Sequence, residues 1–194
     1  MASILITGAN RGIGLELVKR YAGDGHRVFA CCRVPAEASV LSEVAGSHEE
    51  VSIHGVRVAD GASVGELAEA LGGQPLDLLI NNAGANMPME RQTLAQMDYD
   101  AWAELFAVNA MAPLRVLQAL MPNLEASEAA PAKVITITSQ MGALSLDWPV
   151  AYAYCSSKAA VNKVMRMASV ELKEKGIAVG LVHPGWVQTD MGGP

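Results

Sequence analysis

Short apolar segments alternate with longer helical patterns from one end of this sequence to the other. The short segments are almost continuously hydrophobic, which is typical of parallel strands that are covered on both faces. Strands are predicted at Ser3–Thr7, Arg27–Cys32, Val51–Val58, Leu76–Ile80, Lys133–Thr138 and Ile177–Val182. Helices are predicted between them at Ile13–Ala22, Glu37–Ala45, Ala62–Leu71, Tyr99–Leu124 (broken at Pro113) and Ala151–Lys175.

This alternation predicts an α/β fold of the Rossmann type, in which a doubly wound parallel sheet carries helices on both faces. The chain has 194 residues, of which 51% are apolar, so it is long enough for one well-buried domain and too short for two. We therefore expect a single domain over residues 1–194, with six predicted strands.

Composition and charge argue against several classes of function. The 14 Lys and Arg residues against 20 Asp and Glu residues give a net charge of −6, whereas a nucleic-acid binder needs a basic face. No uncharged stretch reaches the roughly 18 to 20 residues of a membrane span. The N-terminus lacks the basic and apolar regions of a signal peptide. We expect a cytoplasmic protein that binds neither nucleic acid nor membranes.

The three cysteines predict no metal site. Cys31, Cys32 and Cys155 lack the spacing of metal ligands. Cys31 and Cys32 are adjacent in a predicted strand, so their side chains point to opposite faces of the sheet. We interpret this adjacent pair as buried thiols.

A glycine-rich turn joins the first predicted strand to the first helix. It reads Thr7-Gly8-Ala9-Asn10-Arg11-Gly12-Ile13-Gly14. Glycines let the backbone approach a pyrophosphate, and the N-terminus of the following helix offers free N–H groups to the anion. The spacing Gly-x-x-x-Gly-x-Gly differs from the dinucleotide fingerprint Gly-x-Gly-x-x-Gly, so an ordinary glycine-rich turn is the alternative.

Two arginines near this turn favour NADP over NAD. An acidic residue about 20 positions further on binds the ribose 2′-hydroxyl of NAD, whereas an arginine there accommodates the 2′-phosphate of NADP. Arg33 lies 19 residues beyond Gly14, and Arg11 lies in the turn itself. Two guanidinium groups can clamp one phosphate by charge-assisted hydrogen bonds. Two solvated surface arginines are the alternative.

A tyrosine and a lysine stand four residues apart near the start of the last predicted helix. Tyr154 and Lys158 therefore project from one helical face, whereas Tyr152 faces about 120° away from Lys158. A neighbouring cation lowers the pKa of a phenol, which makes the phenol a general acid or base near neutral pH. A lysine that snorkels along the helix flank is the alternative.

Two further polar residues are expected near the same crevice. Ser139 follows the fifth predicted strand, and the carboxyl ends of parallel strands line the ligand crevice. Its hydroxyl either donates to a substrate carbonyl or caps a turn. Asn109 lies on the apolar stripe of its helix, where its carboxamide must find partners. It either braces the helix break before Pro113 or holds a water near the reaction site.

In their order along the chain, these motifs resemble those of the classical short-chain dehydrogenase/reductase family. The resemblance covers essentially the whole chain and rests on Thr7-Gly8-x-x-x-Gly12-x-Gly14, Asn81-Asn82-Ala83-Gly84, Asn109, Ser139, Tyr154-x-x-x-Lys158 and Pro184-Gly185. Arg11 and Arg33 resemble the NADP-preferring branch of the family. The stretch His183–Gly193 is similar to the C-factor and sniffer-type carbonyl reductases.

The resemblance implies hydride transfer between the nicotinamide of NADP(H) and a carbonyl or alcohol substrate, with Tyr154 as the proton donor. Lys158 would lower the pKa of Tyr154 and hold the nicotinamide ribose, and Ser139 would position the substrate oxygen. Asn109 would support a proton relay. The implied cofactor-binding residues are Gly8, Asn10, Arg11, Gly12, Ile13, Gly14, Arg33, Asp60 (at the adenine), Asn82, Ala83, Gly84, Tyr154, Lys158, Pro184, Gly185, Val187 and Thr189.

The resemblance also implies a homodimer or homotetramer that acts on a small molecule. An apolar substrate pocket is expected at Gln140, Met141, Leu144, Trp148 and Trp186. The alternative function is that of a C-factor-like, NADP-binding signalling protein with little or no turnover. Because the family usually continues with further helices and a seventh strand, we expect these 194 residues alone to bind NADPH and to turn over weakly.

Overall fold

A computed structural model describes residues 1–129, 131–147 and 149–189 of the protein. In this part of the chain six parallel strands form one sheet, in the order β3-β2-β1-β4-β5-β6. The strands are β1 (Ser3–Thr7), β2 (Arg27–Cys32), β3 (Val51–Gly55), β4 (Leu78–Asn81), β5 (Ala132–Ile137) and β6 (Ile177–Val182). The doubly wound sheet confirms the predicted fold class.

Seven α-helices connect and cover the strands in the described ranges. They are α1 (Gly12–Gly23), α2 (Ser39–Ser47), α3 (Gly61–Leu71), α4 (Tyr99–Phe106), α5 (Ala112–Ala119), α6 (Met121–Glu125) and α7 (Tyr152–Leu172). None of the described helices is both long enough and apolar enough to cross a membrane.

The sheet separates two apolar cores, one on each face. Cys31 lies in the core with Leu5, whereas Cys32 lies in the other core with Ile6. This confirms that the adjacent cysteines point to opposite faces and are buried, and burial raises the pKa of both thiols. Cys155, in the first turns of α7, is partly buried.

The direction of winding changes between β1 and β4. From β1 the chain steps outward to β2 and β3, and it then returns to the other side of β1 to form β4, β5 and β6. Thr7 of β1 pairs with Cys31 of β2, while Ile6 pairs with Ile80 of β4. The segments that follow β1 and β4 therefore leave the same edge of the sheet side by side. In an open α/β sheet this point forms the ligand crevice.

The long helix predicted over Tyr99–Leu124 is broken, although the break precedes Pro113. A π-helical turn at Ala107–Met111 separates α4 from α5, and Pro113 lies in the first turn of α5. A proline has no N–H, so Pro113 cannot donate a hydrogen bond to the carbonyl of Asn109 four residues earlier. The π-helical turn, which is wider than an α-helical turn, therefore lies just before Pro113 and contains Asn109.

Candidate active site

The turn between β1 and α1 has a backbone that favours glycine. Gly8 and Gly12 have φ angles of +67° and +53°, in the left-handed region that other residues avoid. A Cβ atom at Gly14 would lie 2.3 Å from the carbonyl oxygen of Gly8. The first turn of α1 therefore packs directly against the end of β1. A side chain at any of these three positions would be strained or would clash.

Hydrogen bonds from the end of β4 hold this turn in place. The side-chain Nδ2 of Asn82 donates to the carbonyl oxygens of Thr7 (2.9 Å) and Gly8 (3.1 Å). The hydroxyl of Thr7 accepts from the backbone N–H groups of Asn82 and Ala83, at 3.0 Å each. The two segments at the change of winding direction are thus joined into one rigid edge.

An open cleft of about 460 Å³ lies between α1 and the segment after β6. Five of the predicted cofactor residues line it: Gly12, Ile13, Pro184, Val187 and Thr189. A Cβ at Gly12 would lie 3.3 Å from the Cγ2 atom of Thr189, so the two sides of the cleft approach closely at this point. A bare glycine turn at a helix N-terminus beside a cleft fits the pyrophosphate of a dinucleotide.

The predicted phosphate clamp, formed by Arg11 and Arg33, lies at the ends of two neighbouring strands. Arg11 and Arg33 are exposed and follow β1 and β2. Ala9, just after β1, donates its N–H to Cys31 O of β2 (2.9 Å) and so joins the two segments at this edge. Asn10, beside Arg11, is also exposed.

Asp60, the predicted adenine contact, forms the N-terminal cap of α3. Its carboxylate accepts from the N–H groups of Ala62 (3.0 Å) and Ser63 (3.4 Å). It also accepts a hydrogen bond from Arg57, and these three bonds lower its pKa. The described contacts give Asp60 a structural role in holding α3.

Tyr154 lies at the start of α7, half-buried, with its phenol near the hydroxyl of Ser139. Burial raises the pKa of Tyr154, and the nearby hydroxyl of Ser139 offsets only part of this increase. The expectation of a lowered phenol pKa is therefore wrong. Tyr152, the other tyrosine of this helix end, is exposed.

Lys158 explains why the expected lowering is absent. Its side chain is 5% exposed and its Nζ atom lies 5.7 Å from the centroid of the Tyr154 ring, over the ring face. The ammonium group donates to the carbonyl oxygen of Ile137 (3.1 Å). Burial lowers the pKa of Lys158 to about 8. Lys158 therefore loses its charge at a lower pH than the phenol of Tyr154.

Asn109, in the π-helical turn, is buried and makes three hydrogen bonds. Its Oδ1 atom accepts from Ala85 N (2.8 Å), and its Nδ2 atom donates to Ala85 O (2.9 Å) and to Ser157 Oγ (3.0 Å). A Cβ at Gly84 would lie 3.5 Å from Asn109 Oδ1 and 3.7 Å from Lys158 Nζ. The structure thus brings the segment after β4, the π-helical turn and α7 together, and Asn109 braces the helix break.

The apolar substrate pocket expected from the sequence is not enclosed in the described residues. The side chains of Leu144 and Trp186 are 93% and 80% exposed, and Gln140 is also exposed. Met141 is half-buried. Trp148 lies outside the described residues, as does the 190–193 end of the stretch that resembles carbonyl reductases. The expectation fails because these residues belong to loops, whose side-chain directions periodicity does not fix.

Gln92 is a residue of this site that the sequence analysis missed. It is fully buried, and its side-chain oxygen accepts a hydrogen bond from the backbone N–H of Tyr154 (3.1 Å). Gln92 follows a short 3₁₀ turn at Met89–Arg91, in a segment without helical or strand periodicity. No pattern in the sequence distinguishes it from an exposed loop glutamine.

Comparisons with known proteins agree with this geometry. C-signal of Myxococcus xanthus is 46% identical over 121 residues, which cover 62% of this chain and 70% of that protein. The NADPH-bound carbonyl reductase from chicken fatty liver superposes with a TM-score of 0.90 at 37% identity, covering 100% of this chain and 83% of that one. The carbonyl reductase Sniffer of D. melanogaster gives a TM-score of 0.90 at 31% identity, with coverages of 100% and 84%.

A sequence profile described as short chain dehydrogenase matches residues 2–194, which is nearly the entire sequence. The resemblance drawn from the glycine turn, the Tyr-x-x-x-Lys motif and the motifs between them is therefore confirmed. The chain belongs to the short chain dehydrogenase family.

Proposed function

We propose that the protein is an NADP(H)-dependent oxidoreductase that transfers hydride between the cofactor and a small carbonyl or alcohol substrate. The observation that carries the proposal is the buried Lys158 over the ring of Tyr154, with Ser139 near the phenol, on the edge of the sheet that also carries the glycine turn. Carbonyl reduction by a nicotinamide cofactor needs a proton donor and a site that binds the dinucleotide.

The proposed cofactor is NADP(H), held at the carboxyl edge of β1 and β2. The glycine turn and the N-terminus of α1 would bind the pyrophosphate, and Arg11 and Arg33 would bind the 2′-phosphate. The segment Pro184–Thr189 would lie against the nicotinamide end, since it forms the other wall of the cleft. The NADPH bound to the chicken carbonyl reductase supports this choice of cofactor.

When bound, the cofactor supplies or accepts the hydride. Tyr154 would supply the proton to the substrate oxygen, and Ser139 would orient that oxygen through a hydrogen bond. A tyrosine phenol is protonated at neutral pH, and burial raises the pKa of Tyr154 further, so the site holds the protonated form that reduction requires. We therefore propose carbonyl reduction as the favoured direction near pH 7, with alcohol oxidation increasing as the pH rises.

A binding or signalling role without turnover is the less favoured alternative. A lysine buried to 5% exposure destabilises the fold while it is charged, and in the described residues its ammonium group donates to a backbone carbonyl, that of Ile137. Cofactor binding by the glycine turn alone does not require this cation at the face of Tyr154. Its position is accounted for if Lys158 acts in a reaction.

The proposal is tested by NADPH oxidation against a panel of ketones, aldehydes and quinones. We expect at least one substrate class to be reduced by the wild-type protein. Tyr154→Phe should lose the reaction and keep NADPH affinity, because only the proton donor is removed. Tyr152→Phe is the matched control and should keep at least half of the rate, because Tyr152 is exposed. Binding of NADPH without reduction of any substrate would contradict the proposal.

A further inference from the structure

Gln92 is a fully buried polar residue in the long connection between β4 and α4. Its Nε2 atom donates to the carbonyl oxygen of Met87 (2.7 Å) and to Oδ1 of Asn86 (3.0 Å). Its Oε1 atom accepts from the backbone N–H of Tyr154 (3.1 Å). One end of the side chain thus fixes its own loop, and the other end reaches the proposed proton donor.

The helix that carries Tyr154 begins without a cap from its own segment. Ala151, the residue before α7, has φ 52° and ψ 47°, a left-handed conformation that is strained for alanine, and no side chain there caps the helix. The first N–H groups of a helix have no partner within the helix. Gln92 supplies two partners, because its backbone oxygen accepts from Tyr152 N (3.2 Å) and its side chain accepts from Tyr154 N.

The peptide group on the other side of Tyr154 is also held. Its carbonyl oxygen accepts from Ser157 Oγ (2.8 Å), which in turn accepts from Asn109 Nδ2 (3.0 Å). Asn109 is bonded in both directions to Ala85, in the same connection that contains Gln92. Gln92 therefore holds the N–H of Tyr154 directly, and Ser157 and Asn109 connect the carbonyl oxygen of Tyr154 to Ala85. Both groups are attached to the segment that follows β4.

We infer that Gln92 is a positioning residue for the reaction, because its side chain caps α7 and so sets the phenol of Tyr154 against Ser139. The inference rests on the proposed function. The side chain of Gln92 bonds to Asn86, Met87 and Met89 in its own loop and to the backbone N–H of Tyr154, so Gln92 acts through the backbone of Tyr154. A displacement of about 1 Å in a reacting group costs up to a hundredfold in rate.

Three variants separate positioning from stability. Gln92→Met keeps the volume and removes both polar ends. Gln92→Glu keeps an oxygen that accepts from Tyr154 N but places a carboxylate against the acceptors Met87 O and Asn86 Oδ1. Asn123→Leu is the matched control. Asn123 is also a buried amide, but it lies in α6 and donates to Gln74 O (2.8 Å). Gln74 precedes the start of β4, whereas the proposed site lies beyond the end of this strand.

If Gln92 positions Tyr154, the order of the three variants by kcat should differ from their order by Tm. We expect Gln92→Met to lower kcat about ten- to a hundredfold, with KM for the ketone and Kd for NADPH changed by less than about threefold. Gln92→Glu should keep kcat within about threefold of the wild type and yet have a lower Tm than Gln92→Met, since it buries an ionised carboxylate with one of its oxygens against two acceptors. Asn123→Leu should lose Tm and keep kcat.

A merely structural role predicts that kcat falls in the same order as Tm, with Gln92→Glu the least active, and this result would overturn the inference. Wild-type kcat in Gln92→Met would also overturn it while leaving the proposed function intact. If the wild-type protein reduces no substrate, the proposed function fails, and hydrogen exchange then decides the cap. Faster exchange of the Tyr154 amide in Gln92→Met supports the cap, and unchanged exchange contradicts it.

Discussion

Lys158 is a buried cation, and its position lowers the stability of the fold at neutral pH. Its pKa is about 8 in the folded chain against an ordinary value of about 10.4, a difference that corresponds to about 3 kcal/mol. Removal of the ammonium group also takes a donor from Ile137 O, which costs about 1 kcal/mol. We predict that Lys158→Met raises the free energy of unfolding at pH 7 by about 2 kcal/mol and removes turnover. Denaturant unfolding measures the first effect.

The sign of the pH dependence follows from the lowered pKa. Between about pH 8 and 10.4 the unfolded chain holds more protons at Lys158 than the folded chain does, so the wild type gains stability as the pH rises through this window. The advantage of Lys158→Met should therefore shrink over the same range. Lys163→Met, an exposed lysine on the same helix, is the control and should show no such trend. Equal behaviour of the two variants would contradict a buried, charged Lys158.

Arg33 is the residue that should decide between NADPH and NADH. Loss of one charge-assisted contact costs on the order of 1.5–3 kcal/mol, so Arg33→Ala should weaken NADPH binding about ten- to a hundredfold and leave NADH binding nearly unchanged. Arg20→Ala, an exposed arginine that pairs with Asp24 at the far end of α1, is the control. Titration of both cofactors measures the difference. Equal affinities of the wild type for NADPH and NADH would refute the phosphate clamp.

At the scale of residues, the sequence predicted what local geometry determines. Residues four apart share a helical face, which selected Tyr154 over Tyr152 as the neighbour of Lys158. The direction of the Tyr154 pKa could not be predicted in this way, because burial depends on which loops cover the phenol. Gln92 was missed for the same reason, since its partner at the site, Tyr154, lies in another element 62 residues away.

Among the elements, the β1–turn–α1 unit has the tightest packing constraint. Gly14→Ala would place a methyl group 2.3 Å from Gly8 O and 2.5 Å from Asn82 Nδ2, so α1 must move away from β1. We predict a loss of about 2 kcal/mol in unfolding free energy, as for other overpacked sites, and weaker NADPH binding because the turn is displaced. Thermal unfolding and cofactor titration measure the two effects.

Gly23→Ala is the matched control for this helix. A Cβ at Gly23, the last residue of α1, meets nothing within 4 Å. The substitution should stabilise the protein by up to about 1 kcal/mol, because alanine loses less backbone entropy than glycine in a helix. If Gly14→Ala and Gly23→Ala behave alike, close packing of the turn is not what fixes glycine at position 14.

The bounds of the elements show where sequence patterns stop being informative. β1, β2 and β6 have the predicted bounds, since apolar runs end where buried strands end. β3 ends at Gly55 instead of Val58, because Val56 and Val58 lie in the connection to α3 and are buried in the core, so that the apolar run extends beyond the strand. The break near Pro113 was expected, whereas the π-helical turn depends on the bonds between Asn109 and Ala85, which only the tertiary structure brings together.

For the molecule as a whole, the alternation of strands and helices was enough to predict the doubly wound sheet. The change of winding direction between β1 and β4 then brings the glycine turn and the segment after β4 to one edge, and β5 and α7 add Ser139, Tyr154 and Lys158. The substrate side was not predicted correctly. Leu144 and Trp186 are exposed loop residues, and an apolar composition does not place them in a pocket.

The central claim is that Tyr154 completes hydride transfer from NADPH to a carbonyl carbon. The most direct test uses NADPH carrying deuterium at both C4 positions of the nicotinamide, a reducible ketone, and mass and NMR analysis of the alcohol. We predict deuterium at the carbinol carbon with the wild-type protein and with Tyr152→Phe, and none above background with Tyr154→Phe. Alcohol without deuterium at that carbon, or equal labelling by Tyr154→Phe and the wild type, would contradict the account.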